Sequence, residues 1–240
     1  MSFSLIVPVA IDSEIYEKRI PYVFGLSVDG ISLCVQSILG LELNRFDAIY
    51  FTVLRKHCKL YYLDKLLNLQ FDRLGFVKAK VVILDNPTES QAETVFQTIY
   101  LERIKGGVFV KDADSYFSGD VFSQNGLAIY PMEQLQFVNP QNKSYVIVDD
   151  MFYITNIIEK RIVSHYFNAG GYCFENADEY MNYYKKMIKY KKIYLSHIVY
   201  TMLLDNKIFR PFLVKDYKDW ENTELYSYYS KGFISDNKII

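Results

Sequence analysis

Asp112 and Asp114 stand at i and i+2 directly after the apolar run VFVK (residues 108–111). Carboxylates at that spacing suit a hard dication that also binds phosphate oxygens, because magnesium takes one or two carboxylates and keeps several waters besides. A solvated turn is the plain alternative. Another carboxylate of interest is Asp219, beside Trp220, the only tryptophan of the chain. It either completes a site from a distant loop or caps a turn against a packed indole. In Thr88–Val95 (TESQAETV), Thr88, Ser90, Gln91 and Thr94 gather at an expected helix start. Backbone N–H groups there favour anions, and the Gln91 amide presents donor and acceptor together, as the edge of a nucleobase requires. Simple capping by Thr88 accounts for the same segment. Glu159, Lys160 and Arg161 follow the strand-like YITNII. Lys160 can hold a phosphate and Glu159 a hydroxyl, or the trio forms a surface ion-pair patch. Gly170 and Gly171 come next, in FNAGGYCF, where strand glycines permit close approach of a ligand.

Other chemistries find little support. There is no GxSxG elbow, and no Ser-His or Cys-His arrangement that sequence supports. A Rossmann GxGxxG and a Walker loop are also missing. The three cysteines, Cys34, Cys58 and Cys173, are far apart, which disfavours a zinc site or disulfide framework and fits a reducing, cytoplasmic setting. The N-terminal segment lacks a basic secretory leader, and no run reaches the ~18 apolar residues of a membrane span. Membrane insertion is not expected. With 27 Lys+Arg against 28 Asp+Glu, the net charge is −1, so a broad basic face for nucleic acid is not expected either. The 22 tyrosines and 17 phenylalanines are best explained by the codon bias of an AT-rich genome.

The elements that would position these residues follow from hydrophobic periodicity. LIVPVA (5–10), AIYFTVL (48–54), AKVVIL (79–84) and a run from Val108 to Lys111 are expected strands. Helices are expected over Ser32–Leu41, His57–Leu69 and Glu89–Ile104. That β-α-β alternation predicts right-handed crossovers and a mostly parallel sheet. From Leu127 the texture changes to short strands (LAIYPM, SYVIVD, YITNIIEK, NAGGYCF). Helices over Asp178–Lys192 and Ser196–Leu204 and a late strand over Phe209–Lys215 follow. The expected fold class is therefore α/β, with a mostly parallel central sheet and a smaller mixed or antiparallel subregion. In open sheets of this kind ligands lie beyond the carboxyl ends of the strands.

In this order the segments resemble the nucleotidyltransferase superfamily that makes NDP-sugars and related head groups, with a Rossmann-like GT-A fold, typical of capsule and cell-wall synthesis. IVPVA is similar to the first strand of that family, leading from Ala10 into its glycine-rich nucleotide loop. TESQAETV resembles the base-contacting segment, which implies nucleotide contacts for Thr88, Gln91 and Thr94. VFVKDADSYF resembles the metal-binding strand, with Asp114 as the first metal ligand and Asp112 beside it. NIIEKR and FNAGGYCF resemble the acceptor-phosphate elements, implying Glu159, Lys160 and Gly171. KDYKDWENTELY resembles the segment whose Asp, here Asp219, completes the Mg²⁺ site. One departure stands out. Where the family has Gly-x-Gly-x-Arg and then Pro-Lys, residues 11–20 hold no glycine, and Pro21 is followed by Tyr22. Lys18 and Arg19 would supply the leaving-group cations from a rebuilt loop.

The resemblance implies one domain over 1–240, with a nucleotide-binding half (1–126) and an acceptor-binding half (127–240). The implied reaction is Mg²⁺-dependent joining of an NTP to a sugar phosphate or similar phosphorylated small molecule, with release of pyrophosphate. Two alternatives stand beside it: a GT-A glycosyltransferase that holds an NDP-sugar through Asp112-Ala113-Asp114, and a catalytically weak nucleotide- or sugar-binding relative. Formation of a homo-oligomer is left open.

Overall fold

The computed structural model describes residues 2–10, 21–27, 29–134, 140–190 and 192–220. Lys18 and Arg19 lie outside the described residues, as does the stretch beyond Trp220. The first half alternates strand and helix: β1 (Phe3–Pro8), α1 (Leu33–Gln36), β2 (Ala48–Leu54), α2 (Arg55–Tyr61), α3 (Leu63–Leu74), β3 (Ala79–Leu84), α4 (Gln91–Glu102) and β4 (Gly107–Lys111). The second half supplies β5 (Ser115–Ser118), β6 (Gly126–Pro131), β7 (Ser144–Val148), β8 (Ile154–Glu159), β9 (Tyr166–Phe174), α5 (Ala177–Met187), α6 (Leu195–Leu204), β10 (Arg210–Leu213) and β11 (Lys215–Asp219).

One large sheet runs β10-β6-β9-β4-β1-β2-β3. The block β4-β1-β2-β3 is parallel, while β9 joins both β4 and β6 antiparallel. This is the mixed α/β sheet expected from the sequence. Alternation along β1 divides the core between its two faces. Ile6 packs with α4, α5 and α6, whereas Leu5 and Val7 pack with α1 and α3.

Helix α4 starts at Ser90, whose hydroxyl accepts from the Glu93 backbone N–H, and buries Ala92, Val95 and Ile99. The cap is therefore Ser90 and not Thr88; Thr88 is buried and bonded to the Thr94 hydroxyl at 2.6 Å. Other local expectations also shift. The single helix over His57–Leu69 is two, broken where Tyr62 adopts φ 52°. The break sends Leu60 to solvent while Leu63 and Leu67 reach the core. Helix α1 is only Leu33–Gln36. A longer one is cut off by turns leading to Gly40, where a Cβ would lie 2.1 Å from the Phe117 carbonyl oxygen.

The late strand Phe209–Lys215 divides into β10 and β11. The first joins β6 in the large sheet, and the second pairs with β5 in a separate antiparallel ribbon. That ribbon, unforeseen in the sequence, sets Asp219 opposite Ser115. It is closed by the Trp220 N–H donating to the Asp114 carbonyl at 2.8 Å, with the Trp220 indole buried.

Candidate active site

At the carboxyl end of β4 the chain enters a turn held from three sides. The Asp112 N–H donates to the Gly170 carbonyl at 2.8 Å. Gly170 belongs to a bulge in β9, where the register against β6 shifts between the Leu127 and Ile129 pairs. Asn168 clamps the bulge: its Oδ1 accepts from the Gly170 N–H at 2.8 Å, and its Nδ2 donates to the Gly171 carbonyl at 3.0 Å. Beneath the turn, fully buried Lys111 donates to the carbonyls of Asp112 and Ser115 and to the Ser115 hydroxyl at 2.8–2.9 Å. Its three N–H groups are thereby satisfied. Burial still pulls its pKa down to about 8, against the raising influence of Asp112 and Asp114.

The turn opens onto a cavity of about 210 Å³ lined by Gln91, Asp112, Asp114, Lys143, Glu159 and Lys160 among others. Gln91 donates through Nε2 to Asp112, and the Tyr22 hydroxyl donates to Asp114 Oδ2 at 3.1 Å. Burial and the adjacent Asp114 charge raise the Asp112 pKa to about 6. Glu159 accepts from the hydroxyls of Ser144 and Ser196. Lys160, at φ 56°, reaches the Tyr194 hydroxyl at 3.4 Å.

Several expected residues thus meet in one cleft: Gln91, Asp112, Asp114, Glu159 and Lys160. Ala10, Thr88 and Thr94 are buried and do not line it; the Thr88 backbone N–H and hydroxyl both donate to the Ala10 carbonyl at 3.4 Å. Gly170, rather than Gly171, lines the cavity. At Gly171 a Cβ would meet Ala128, Phe109 and Phe117 within 2.9 Å, so that residue serves packing. Asp219 does not line the cavity; it is joined to it through an ion pair with Lys143, which does, both side chains being nearly buried. Lys143 also bonds Tyr217; burial would lower its pKa, but Tyr217 and Asp219 outweigh burial and hold it well above the usual range. Sequence reasoning passed over Lys143, Asn168 and Tyr217. A lysine in a turn after Asn139-Pro140-Gln141-Asn142 carries no motif; its partner is 76 residues on and arrives only through the β5/β11 ribbon.

The donor set bears directly on a metal. Among the described residues no three acidic, histidine or cysteine side chains converge as a closed cage. A dication that shares its shell with phosphate oxygens needs fewer protein ligands. Asp112 and Asp114 fit that requirement, since their mutual repulsion is what a dication would relieve.

Comparison with known structures defines the class of fold. A nucleoside-diphosphate-sugar pyrophosphorylase from Vibrio cholerae RC9 superposes with TM-score 0.77 at 16% identity, over 95% of this chain and 99% of that one. The inositol-1-phosphate CTP transferase from T. maritima gives TM-score 0.74 at 17% identity, over 100% and 98%. A UDP-glucose pyrophosphorylase complexed with UDP-glucose gives 0.72 at 14%, over 99% and 100%. The chain therefore has the GT-A-like fold of the nucleotidyltransferases. No family profile matches it, and no curated protein matches it in sequence. Among the described residues no helix is long and apolar enough to cross a membrane.

Proposed function

We propose that the chain is a nucleotidyltransferase joining an NTP to a sugar phosphate or similar phosphorylated small molecule, in the cytoplasm and in support of surface-polysaccharide (capsule) synthesis. The observation that carries this reading is the meeting of Asp112, Asp114, Lys143, Glu159 and Lys160 in one cleft at the carboxyl end of a parallel strand, on this fold. An acceptor phosphate oxygen attacks the α-phosphorus in line. The new P–O bond forms as the bond to the β-phosphate oxygen breaks, and pyrophosphate leaves with the electron pair. Such a reaction asks the protein for positioning and charge neutralisation more than for covalent chemistry. Lys160 holds the acceptor phosphate, Glu159 orients an acceptor hydroxyl, and Gln91 contacts the base. Asp112 and Asp114 would hold Mg²⁺, which when bound neutralises charge on the phosphates. Lys18 and Arg19 are proposed for the leaving pyrophosphate.

A second reading, transfer of a sugar from an NDP-sugar, is favoured by the sequence of residues 11–20, which holds none of the glycines of the triphosphate loop in the family it resembles. One experiment separates the two. The protein is incubated with Mg²⁺, each NTP and a panel of sugar phosphates, and pyrophosphate release is followed. Release that requires the acceptor, and is abolished in Asp114→Asn with the fold intact, is expected. Stabilisation by NDP-sugars alone, with no pyrophosphate released across the panel, overturns the first reading for the second.

A further inference from the structure

The Lys143–Asp219 pair carries an inference that rests on the reading above and deepens it. Lys143 lines the same cavity as Asp112 and Asp114. Its ammonium lies on Asp219 Oδ2, with side-chain exposures of only 12% and 7%. It also stands 5.7 Å from the centroid of the Tyr217 ring. Its backbone carbonyl accepts from the Lys160 N–H at 2.9 Å, so the two lysines are braced together. A nearly buried carboxylate paired with a nearly buried ammonium is hard to separate, because parting them leaves each charge desolvated and uncompensated. A dication on Asp219 would also have to sit beside that ammonium, like charge against like.

We propose that Lys143 is the standing cation of the cleft. Asp219 and Tyr217 hold its ammonium at the wall facing the phosphates, and the metal rests on Asp112 and Asp114 without Asp219. Substrate phosphates then meet two cationic centres of different origin, one recruited and one built in. This arrangement gives Asp219 a role the sequence resemblance does not imply, that of positioning a lysine.

The test uses Mn²⁺ as probe, titrated into the full chain without nucleotide and followed by electron paramagnetic resonance. Asp114→Asn should lose Mn²⁺ binding, while Asp219→Asn removes no ligand but unmasks the Lys143 charge beside the site, and should weaken binding by no more than about tenfold. Lys143→Met should bind Mn²⁺ about tenfold more tightly, since a like charge beside the site is gone and Asp219 is released. The double variant K143M/D219N leaves no lone buried charge and carries the test if K143M does not fold. It should keep the wild-type Mn²⁺ affinity, and inorganic pyrophosphate added to its Mn²⁺ form should bind at least about tenfold more weakly, the loss of one charge-assisted contact. Loss of Mn²⁺ binding in Asp219→Asn comparable to that in Asp114→Asn overturns the proposal. Unchanged pyrophosphate affinity in the double variant does so as well. No turnover is measured, so failure here is distinct from absence of pyrophosphate release in the activity assay.

Discussion

Asp112 shows at a single residue how stability is set against chemistry. Its pKa in the folded chain is about 6, against an ordinary 3.8, because burial and the Asp114 charge disfavour ionisation. The sign follows from proton linkage. Between about pH 4 and 6 the folded chain holds a proton that the unfolded chain has lost, so this group's contribution to stability falls as pH rises through that window. Above pH 6 the folded protein carries a strained carboxylate. Asp112→Asn keeps an oxygen for Gln91 and removes that charge, and is expected to stabilise the chain by about 1–3 kcal/mol at pH 7.5. Urea unfolding should show the gain shrinking towards nothing near pH 4, while the variant loses metal-dependent activity. A gain that persists at pH 4 would mean the stabilisation came from packing. The same proton competes with a cation, so wild-type Mn²⁺ affinity should decline as pH drops below about 6. Two neighbouring glycines offer a contrast. At Gly170, with φ +86°, a Cβ would lie 2.7 Å from both Asp112 Oδ2 and Ser115 Oγ. Gly170→Ala should cost at least about 1–2 kcal/mol from the backbone conformation alone and weaken Mn²⁺ binding by displacing Asp112. Gly171→Ala should cost about 1–3 kcal/mol by overpacking and leave Mn²⁺ affinity in the surviving folded protein unchanged.

At the scale of elements, α4 and the β5/β11 ribbon do the positioning, and they differ in how visible they are in the sequence. Helix α4 brings Gln91 to Asp112, and its start depends on the Ser90 hydroxyl. Ser90→Ala is expected to cost about 1 kcal/mol, measured by urea unfolding. Ser90→Asp should restore most of it, because the aspartate accepts the same bond and suits the positive helix end. An equal loss in both variants would show that Ser90 matters for something other than capping. The four parallel strands and α4 were legible because continuous apolar runs and a 3.6-residue stripe are local properties. Asp112, Asp114, Gln91, Glu159 and Lys160 were legible because each lies at an end of such an element. The helix broken at Tyr62 misled because Leu60, Leu63, Leu66 and Leu67 satisfy one helical stripe on paper; only the left-handed turn turns Leu60 outward. The ribbon was hidden for another reason. SYFS and KDYKD are short and polar, and pair across about a hundred residues, so nothing in either segment announces the other. Lys143 was hidden with it.

The whole molecule depends on a strand that crosses its sequence halves. β9, from the second half, lies between β4 of the first half and β6 of the second. The core on one sheet face joins Ile6, Val95, Ile99 and Val108 to Tyr172, Phe174, Tyr180 and Ile198. The Tyr180 hydroxyl donates to the Ala92 carbonyl of α4 at 2.8 Å, which ties α5 to the helix that carries Gln91. A chain cut after residue 126 would therefore expose one edge of β4 and the α4 face that α5 covers. It would lose second-half core side chains such as Phe174 and Ile198, each contributing about 1.5–3 kcal/mol when fully buried. Against a net stability of order 5–15 kcal/mol, losing a few such residues is enough to unfold the half. The two halves are accordingly expected to behave as one cooperative unit. Tyrosine fluorescence, Trp220 fluorescence and far-ultraviolet circular dichroism should give coincident urea transitions, and residues 1–126 alone should show no cooperative transition. Separate midpoints for Trp220, buried at the end of the β5/β11 ribbon, and for the helical signal would instead divide the molecule into two folding units. The cleft would then lie on their boundary, and ligand binding would raise the Trp220 midpoint more than the helical one.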